Sequence, residues 1–113
     1  MANFKKFANS IVSLSQIRRC AILEMKNGEN RFNSEFIGSL NSALDAVEEA
    51  KDVDALVTIG SGKFFSNGLD LAFVLDSDRD NVSDFMKAYS KLMARFLTFP
   101  MPTVAAINGK RTL

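Results

Sequence analysis

The sequence predicts an α/β fold, a sheet with crossover helices on its faces. Three observations predict it. Apolar runs of strand length alternate with two long segments of helical periodicity. The runs end at glycine or Asn-Gly, and the element order reads β-β-α-β-α-β.

Taken in order, Ile11 to Ser15 and Cys20 to Met25 read as two strands around the polar turn Gln16–Arg19. Asn27-Gly28 closes the second strand with a turn signal. Phe36, Ile37, Leu40, Leu44 and Val47 then recur at helical spacing, with Asn33 or Ser34 as the N-cap. This helix fades in the charged stretch Glu48 to Asp54. "ALVTI" (Ala55 to Ile59) is a buried strand running straight into Gly60. A second amphipathic helix carries Phe85, Tyr89, Leu92, Met93 and Phe96 on one face. Pro100 and Pro102 stop it, because proline donates no N–H and restricts the residue before it. "TVAAI" (Thr103 to Ile107) is the next short apolar strand, ending in Asn108-Gly109. Internal repeats and low-complexity tracts are absent from the sequence.

Composition excludes several classes of function. A formal net charge of +1 argues against a general nucleic-acid binder, whose domains are usually strongly basic. No apolar run approaches the roughly 18 residues that a membrane span needs. The single cysteine, Cys20, forms no intramolecular disulfide and fits a reducing compartment. The chain has no histidine, which removes Ser-His-Asp and Cys-His nucleophilic sites and argues against zinc. No acidic residue precedes Glu24, while Lys5, Lys6, Arg18 and Arg19 do. That start reads either as a mitochondrial transit peptide or as a basic end leading into a strand.

In open α/β sheets ligands bind beyond the carboxyl ends of the strands. Gly60–Leu71, "GSGKFFSNGLDL", and the segment from Asn108 onward both lie there, side by side if their strands are neighbours. "GSGK" fails as a phosphate loop, because Val57 stands at the first glycine position and Phe64 replaces the Ser or Thr. Gly60, Gly62 and Gly68 lack dinucleotide-loop spacing. "DSDRDN" from Asp76 imitates a calcium loop, but Asn81 and Lys87 stand at its glycine and glutamate positions, so it reads as solvated loop.

What survives is "FFSNGLDL". Phe64 to Leu71 resembles the first oxyanion-hole loop of the crotonase superfamily, the enoyl-CoA hydratases and isomerases. "NGENRFNSEFIGSLNSALD" resembles that family's strand-to-first-helix segment, and "FPMPTVAAING" its next strand and turn. Each motif alone is weak; three in the family's order, over about residues 11–109, identify the resemblance. It implies the N-terminal portion of the crotonase (ββα-repeat) fold, truncated after the third main parallel strand, with residues 1–113 an incomplete core.

The resemblance also implies chemistry on fatty acyl-CoA thioesters in β-oxidation. Negative charge builds on the thioester oxygen, and a fixed N–H donor there is worth on the order of 3–4 kcal/mol. By carry-over that donor is the backbone N–H of Leu69, with Gly68 allowing close approach. The backbone near Ser66 and Asn67 then meets the CoA adenine, and Arg31 either pairs with a CoA phosphate or stands exposed without a partner. Asp70 reads as a helix N-cap rather than a substrate group, and at least one of Phe64 and Phe65 as a core anchor. The loop is closer to Δ3,Δ2-enoyl-CoA isomerases of the peroxisomal type than to hydratases. The resemblance implies no cofactor besides the coenzyme A thioester as substrate, homo-oligomers (trimer or hexamer) in full-length members, and a peroxisomal or mitochondrial location.

The sequence departs from the family after Asn108-Gly109. Lys110-Arg111-Thr112-Leu113 stands where the second oxyanion donor and the catalytic glutamates are expected to follow. None of Glu24, Glu29, Glu35, Glu48 and Glu49 matches a catalytic position. Three expectations remain open: an isomerase or hydratase by family, inactive as this chain alone; a non-catalytic acyl-CoA- or partner-binding truncated isoform; and an unrelated α/β binding domain.

Overall fold

The computed structural model describes Phe4 and residues 11–61, 64–107 and 110–111. Strands β1 (Val12–Ile17) and β2 (Cys20–Met25) form an antiparallel hairpin. Helix α1 (Ser34–Glu49) then crosses to β3 (Ala55–Gly60), which lies parallel to β2. After the short β4 (Phe64–Ser66) come helices α2 (Leu71–Leu75) and α3 (Arg79–Leu97). Strand β5 (Thr103–Ala106) pairs parallel with β3, giving a sheet in the order β1-β2-β3-β5. A two-residue strand β6 (Lys110–Arg111) pairs parallel with β4 in a separate ribbon. The predicted α/β class holds, and β4, α2 and β6 are additions to the expected order. Of the basic start, Lys5 and Lys6 lie outside the described residues, Arg18 and Arg19 lie in the turn between β1 and β2, and Phe4 is buried in the core.

Alternation along the strands builds the core. Val12 and Leu14 of β1, Ala21, Leu23 and Met25 of β2, and Leu56 of β3 are buried on one face. Phe36, Ile37, Leu40, Ala43, Leu44 and Val47 of α1 are buried with them in one cluster. Those positions follow the i, i+3, i+4 recurrence that gives a helix one apolar stripe. Asn33, one of the two predicted caps, accepts the Phe36 N–H at 2.9 Å. Helix α3 adds Phe85 and Leu92, with Tyr89, Met93 and Phe96 half-buried beside them, as its periodicity predicts. Its Arg95 ties it to α1, reaching Asp45 at 2.7 Å, Glu48 at 2.9 Å and the Asn41 side chain at 3.1 Å.

Three element boundaries correct the sequence reading. Strand β1 runs to Ile17 rather than Ser15, because Ile17 pairs with Cys20 and leaves only Arg18-Arg19 to turn. Arg18 takes φ 55° to make that tight turn. Within "DSDRDN", Asp76 ends α2 and Asp78 caps α3, accepting the Asn81 N–H at 2.8 Å, so the run is a helix junction rather than a solvated loop. Strand β5 stops at Ala106, one residue before Ile107.

The opposite sheet face is less covered. Ile22, Val57 and Ile59 are half-buried there, and Val104 of the terminal strand β5 is 60% exposed. Ile107, just beyond β5, is 52% exposed. Among the described residues no helix is long and apolar enough to cross a membrane.

Candidate functional site at the carboxyl ends of β2 and β3

Parallel pairing of β2 and β3 brings their carboxyl ends together, with Met25 opposite Gly60. The loops that follow, residues 26–33 and 61–70, are therefore neighbours although far apart in sequence. They are joined by backbone bonds. The Asn67 N–H donates to Glu29 O at 2.9 Å, Phe32 N–H to Gly68 O at 2.8 Å, and Asp70 N–H to Phe32 O at 2.9 Å. The last two make an isolated parallel bridge between Phe32 and Leu69.

That bridge decides which way Leu69 faces. In a parallel bridge the central residue's partner bonds to the residues on either side of it, here Gly68 and Asp70. The N–H of Leu69 itself is thus turned away from Phe32, and it has no partner among the described residues. Gly68 adopts φ 74°, a left-handed conformation that L side chains resist. Its own N–H is occupied, donating to Ser66 Oγ at 3.2 Å.

The other residues singled out from the sequence take definite places. Ser66 is buried and its hydroxyl donates to Asn30 O at 2.8 Å. Asn67 uses its backbone N–H on Glu29 O, and its side chain donates to the Glu29 carboxylate at 3.2 Å. Arg31 is not an arginine without a partner: its Nε donates to the same carboxylate at 2.6 Å. The Asn67 amide first, and then Arg31, hold the Glu29 carboxyl below its ordinary range. A phosphate approaching Arg31 thus competes with Glu29. Asp70 is the N-cap of α2, as the sequence predicts, accepting the Phe73 N–H at 3.1 Å. Asn33 donates to its second oxygen at 3.2 Å, so the caps of α1 and α2 are linked. Phe65 is half-buried against the core, the anchor expected of one of the two phenylalanines.

Neighbouring strands do bring their loops side by side, since β4 beyond β3 pairs with β6 beyond β5. Asn108 and Gly109 lie outside the described residues. The sequence reading missed Glu29, Asn30 and Phe32. Phe32 packs its ring 5.3 Å from both Phe36 and Tyr89, fixing the bridge to α1 and α3. Asn30 could have been found as an asparagine beside a turn, the residue type that tolerates a left-handed backbone. A separate groove of about 470 Å³ lies between α2, α3 and the start of α1. Phe73, Asp84 and Phe85 help line it, and none of Ser66–Leu69 does.

Over residues 18–112 the sequence matches the family profile described as enoyl-CoA hydratase/isomerase. It is 38% identical over 85 residues to enoyl-CoA delta isomerase 3 of Arabidopsis thaliana, covering 72% of this chain and 36% of that protein. Peroxisomal enoyl-CoA delta isomerase 1 of the same plant is 37% identical over 101 residues, covering 86% of this chain and 41% of that protein. In fold, the chain superposes on an enoyl-CoA hydratase from Shewanella pealeana with a TM-score of 0.85 at 19% identity. That match covers 96% of this chain and 44% of the hydratase. The chain thus spans about two fifths of the length of these relatives. With the sequence match running from the β1–β2 turn through the last described strand, the chain belongs to the enoyl-CoA hydratase/isomerase family.

Proposed function

We propose that this chain supplies the first thioester-binding loop of an enoyl-CoA isomerase acting on fatty acyl-CoA in β-oxidation. The observation that carries the reading is the Leu69 N–H, turned out of the Phe32 bridge and without a partner among the described residues. An outward amide fixed by its neighbours is the donor an enolate oxygen needs, because its orientation is set before the charge develops. The Ser66–Asn67 backbone lies beside it to receive the adenine, and Arg31, which shares the Glu29 carboxylate with Asn67, is the cation offered to a CoA phosphate. The loop residues and the names of the two Arabidopsis relatives above support isomerase over hydratase, and the peroxisomal name of one of the two supports a peroxisomal location.

Isomerisation moves a proton between C2 and C4 with one carboxylate as base and then acid. The described carboxylates of the site are both engaged, Glu29 by Arg31 and Asn67, and Asp70 by the Phe73 N–H and Asn33 as a helix cap. A base must be free to take the proton, so neither is assigned that role. The chain alone is therefore expected to bind acyl-CoA weakly and to turn nothing over. A second reading, a chain that docks on a partner subunit, is favoured by the exposed Val104 and Ile107. Calorimetric titration with octanoyl-CoA, together with isomerase and hydratase assays on residues 1–113, tests the proposal. Weak binding without turnover is expected. No binding of octanoyl-CoA refutes the loop assignment, and turnover refutes the inactivity.

A further inference from the structure

Asn30 is fully buried, and it sits in the left-handed region at φ 54°. A buried side-chain amide outside the regular elements needs a reason, since each polar group removed from water must find a partner. Its partners reach every part of the site. Oδ1 accepts the Asn27 N–H at 2.8 Å, at the turn after β2. Nδ2 donates to Met25 O at 3.2 Å, the last residue of β2, and to Phe65 O at 2.9 Å in β4. Its backbone carbonyl accepts the Ser66 hydroxyl, and that hydroxyl accepts the Gly68 N–H. Only a short side chain carrying both an acceptor and an NH₂ group satisfies this set, and asparagine is also the residue that best tolerates φ > 0. Aspartate lacks the donor.

We propose that Asn30 is a positioning residue for the Leu69 amide, acting through Phe65, Ser66 and Gly68. This rests on the reading that Leu69 receives the thioester oxygen. Asn30 fixes the 64–68 segment against the end of β2, while Phe32 fixes 68–70. The Leu69 peptide lies between these two anchors, so its direction is set from both sides. Without the Asn30 side chain its bonds to Asn27, Met25 and Phe65 are lost, which weakens the first anchor to the Ser66 and Asn67 contacts, while the Phe32 bridge and the sheet remain.

The test compares two ligands that differ only at the reacting oxygen: octanoyl-CoA and its thioether analogue S-octyl-CoA, which lacks the carbonyl. Wild-type residues 1–113 should prefer the thioester by roughly fivefold, the worth of one neutral hydrogen bond. Asn30→Gly keeps the positive φ accessible and removes the side chain. It should close that gap while leaving S-octyl-CoA affinity unchanged. On octanoyl-CoA binding, the Leu69 amide proton should also lose most of its NMR shift. A merely structural role would weaken both ligands alike. Should Asn30→Gly not fold, Ser66→Ala removes the other route from Asn30 to the Leu69 peptide, through the Asn30 carbonyl and the Gly68 N–H, and should narrow the gap. A gap that persists in Asn30→Gly, or in Ser66→Ala if that is the variant that folds, overturns the positioning role while leaving the Leu69 reading intact. A wild type that binds both ligands equally overturns both.

Discussion

Substitution at Gly68 separates backbone strain from loop anchoring, and the balance can be worked from the site. At φ 74° an alanine costs about 1–2 kcal/mol, because Cβ crowds the backbone in the left-handed region. A β-branched valine is worse, up to about 3 kcal/mol. Opposing any relaxation are three bonds: Gly68 N–H to Ser66, Phe32 N–H to Gly68 O, and Asp70 N–H to Phe32 O. At about 1 kcal/mol each they resist with roughly 3 kcal/mol. Alanine strain is thus smaller than the restraint, and the loop should hold its shape at a stability loss of about 1–2 kcal/mol. Valine strain equals the restraint, so the segment should shift and the Leu69 amide with it. Denaturant unfolding measures the first effect, and calorimetry with octanoyl-CoA the second. Gly68→Ala should keep affinity within several-fold of wild type, and Gly68→Val should lose it. Equal affinities for wild type and Gly68→Val, or an unstrained stability for both variants, would refute the reasoning.

Three further outcomes are expected. Arg95→Ala removes the tie between α3 and α1 and should lower unfolding free energy by about 1–2 kcal/mol, since the pairs are only partly shielded; an unchanged denaturation midpoint counts against it. The Glu29 carboxyl is held below its ordinary value of 4.5, so its contribution is complete above that pH and is lost as pH falls through the lowered value. The stability gap between wild type and Glu29→Gln should therefore shrink on acidification, and a constant gap refutes this. Val104→Lys, on the exposed face of the terminal strand, should reduce self-association seen by sedimentation velocity; identical profiles would show that this face takes no part.

Much of the framework was legible because it is periodic. The α1 stripe from Phe36 to Val47, the alternating strands and the proline stop after α3 each repeat at the spacing of their element. Local chemistry was legible too: Asp70 caps within three residues, and Gly68 advertises its own backbone freedom. The clamp was not. Glu29 with Asn67 and Asn30 with Phe65 are partners across more than thirty residues, and polar loop side chains carry no period that reveals the far partner. Helix α2 escaped for a different reason. Its five residues, "LAFVL", make little more than one turn, too short for strand and helix periods to be told apart.

The clamp between the loops also has a bearing on the order in which the molecule assembles. Glu29 and Asn67 are 38 residues apart, and closing a loop of that length from an unfolded chain costs about 3 kcal/mol of entropy, more than their contact alone would return. Pairing of β2 with β3 already closes that loop, and it does so with buried apolar residues. The polar contacts of the site should consequently form after the sheet and disappear before it. Amide exchange at Asn67, Phe32 and Asp70 should then report one shared opening, at lower free energy than the Leu23 and Leu56 amides at the centre of the sheet.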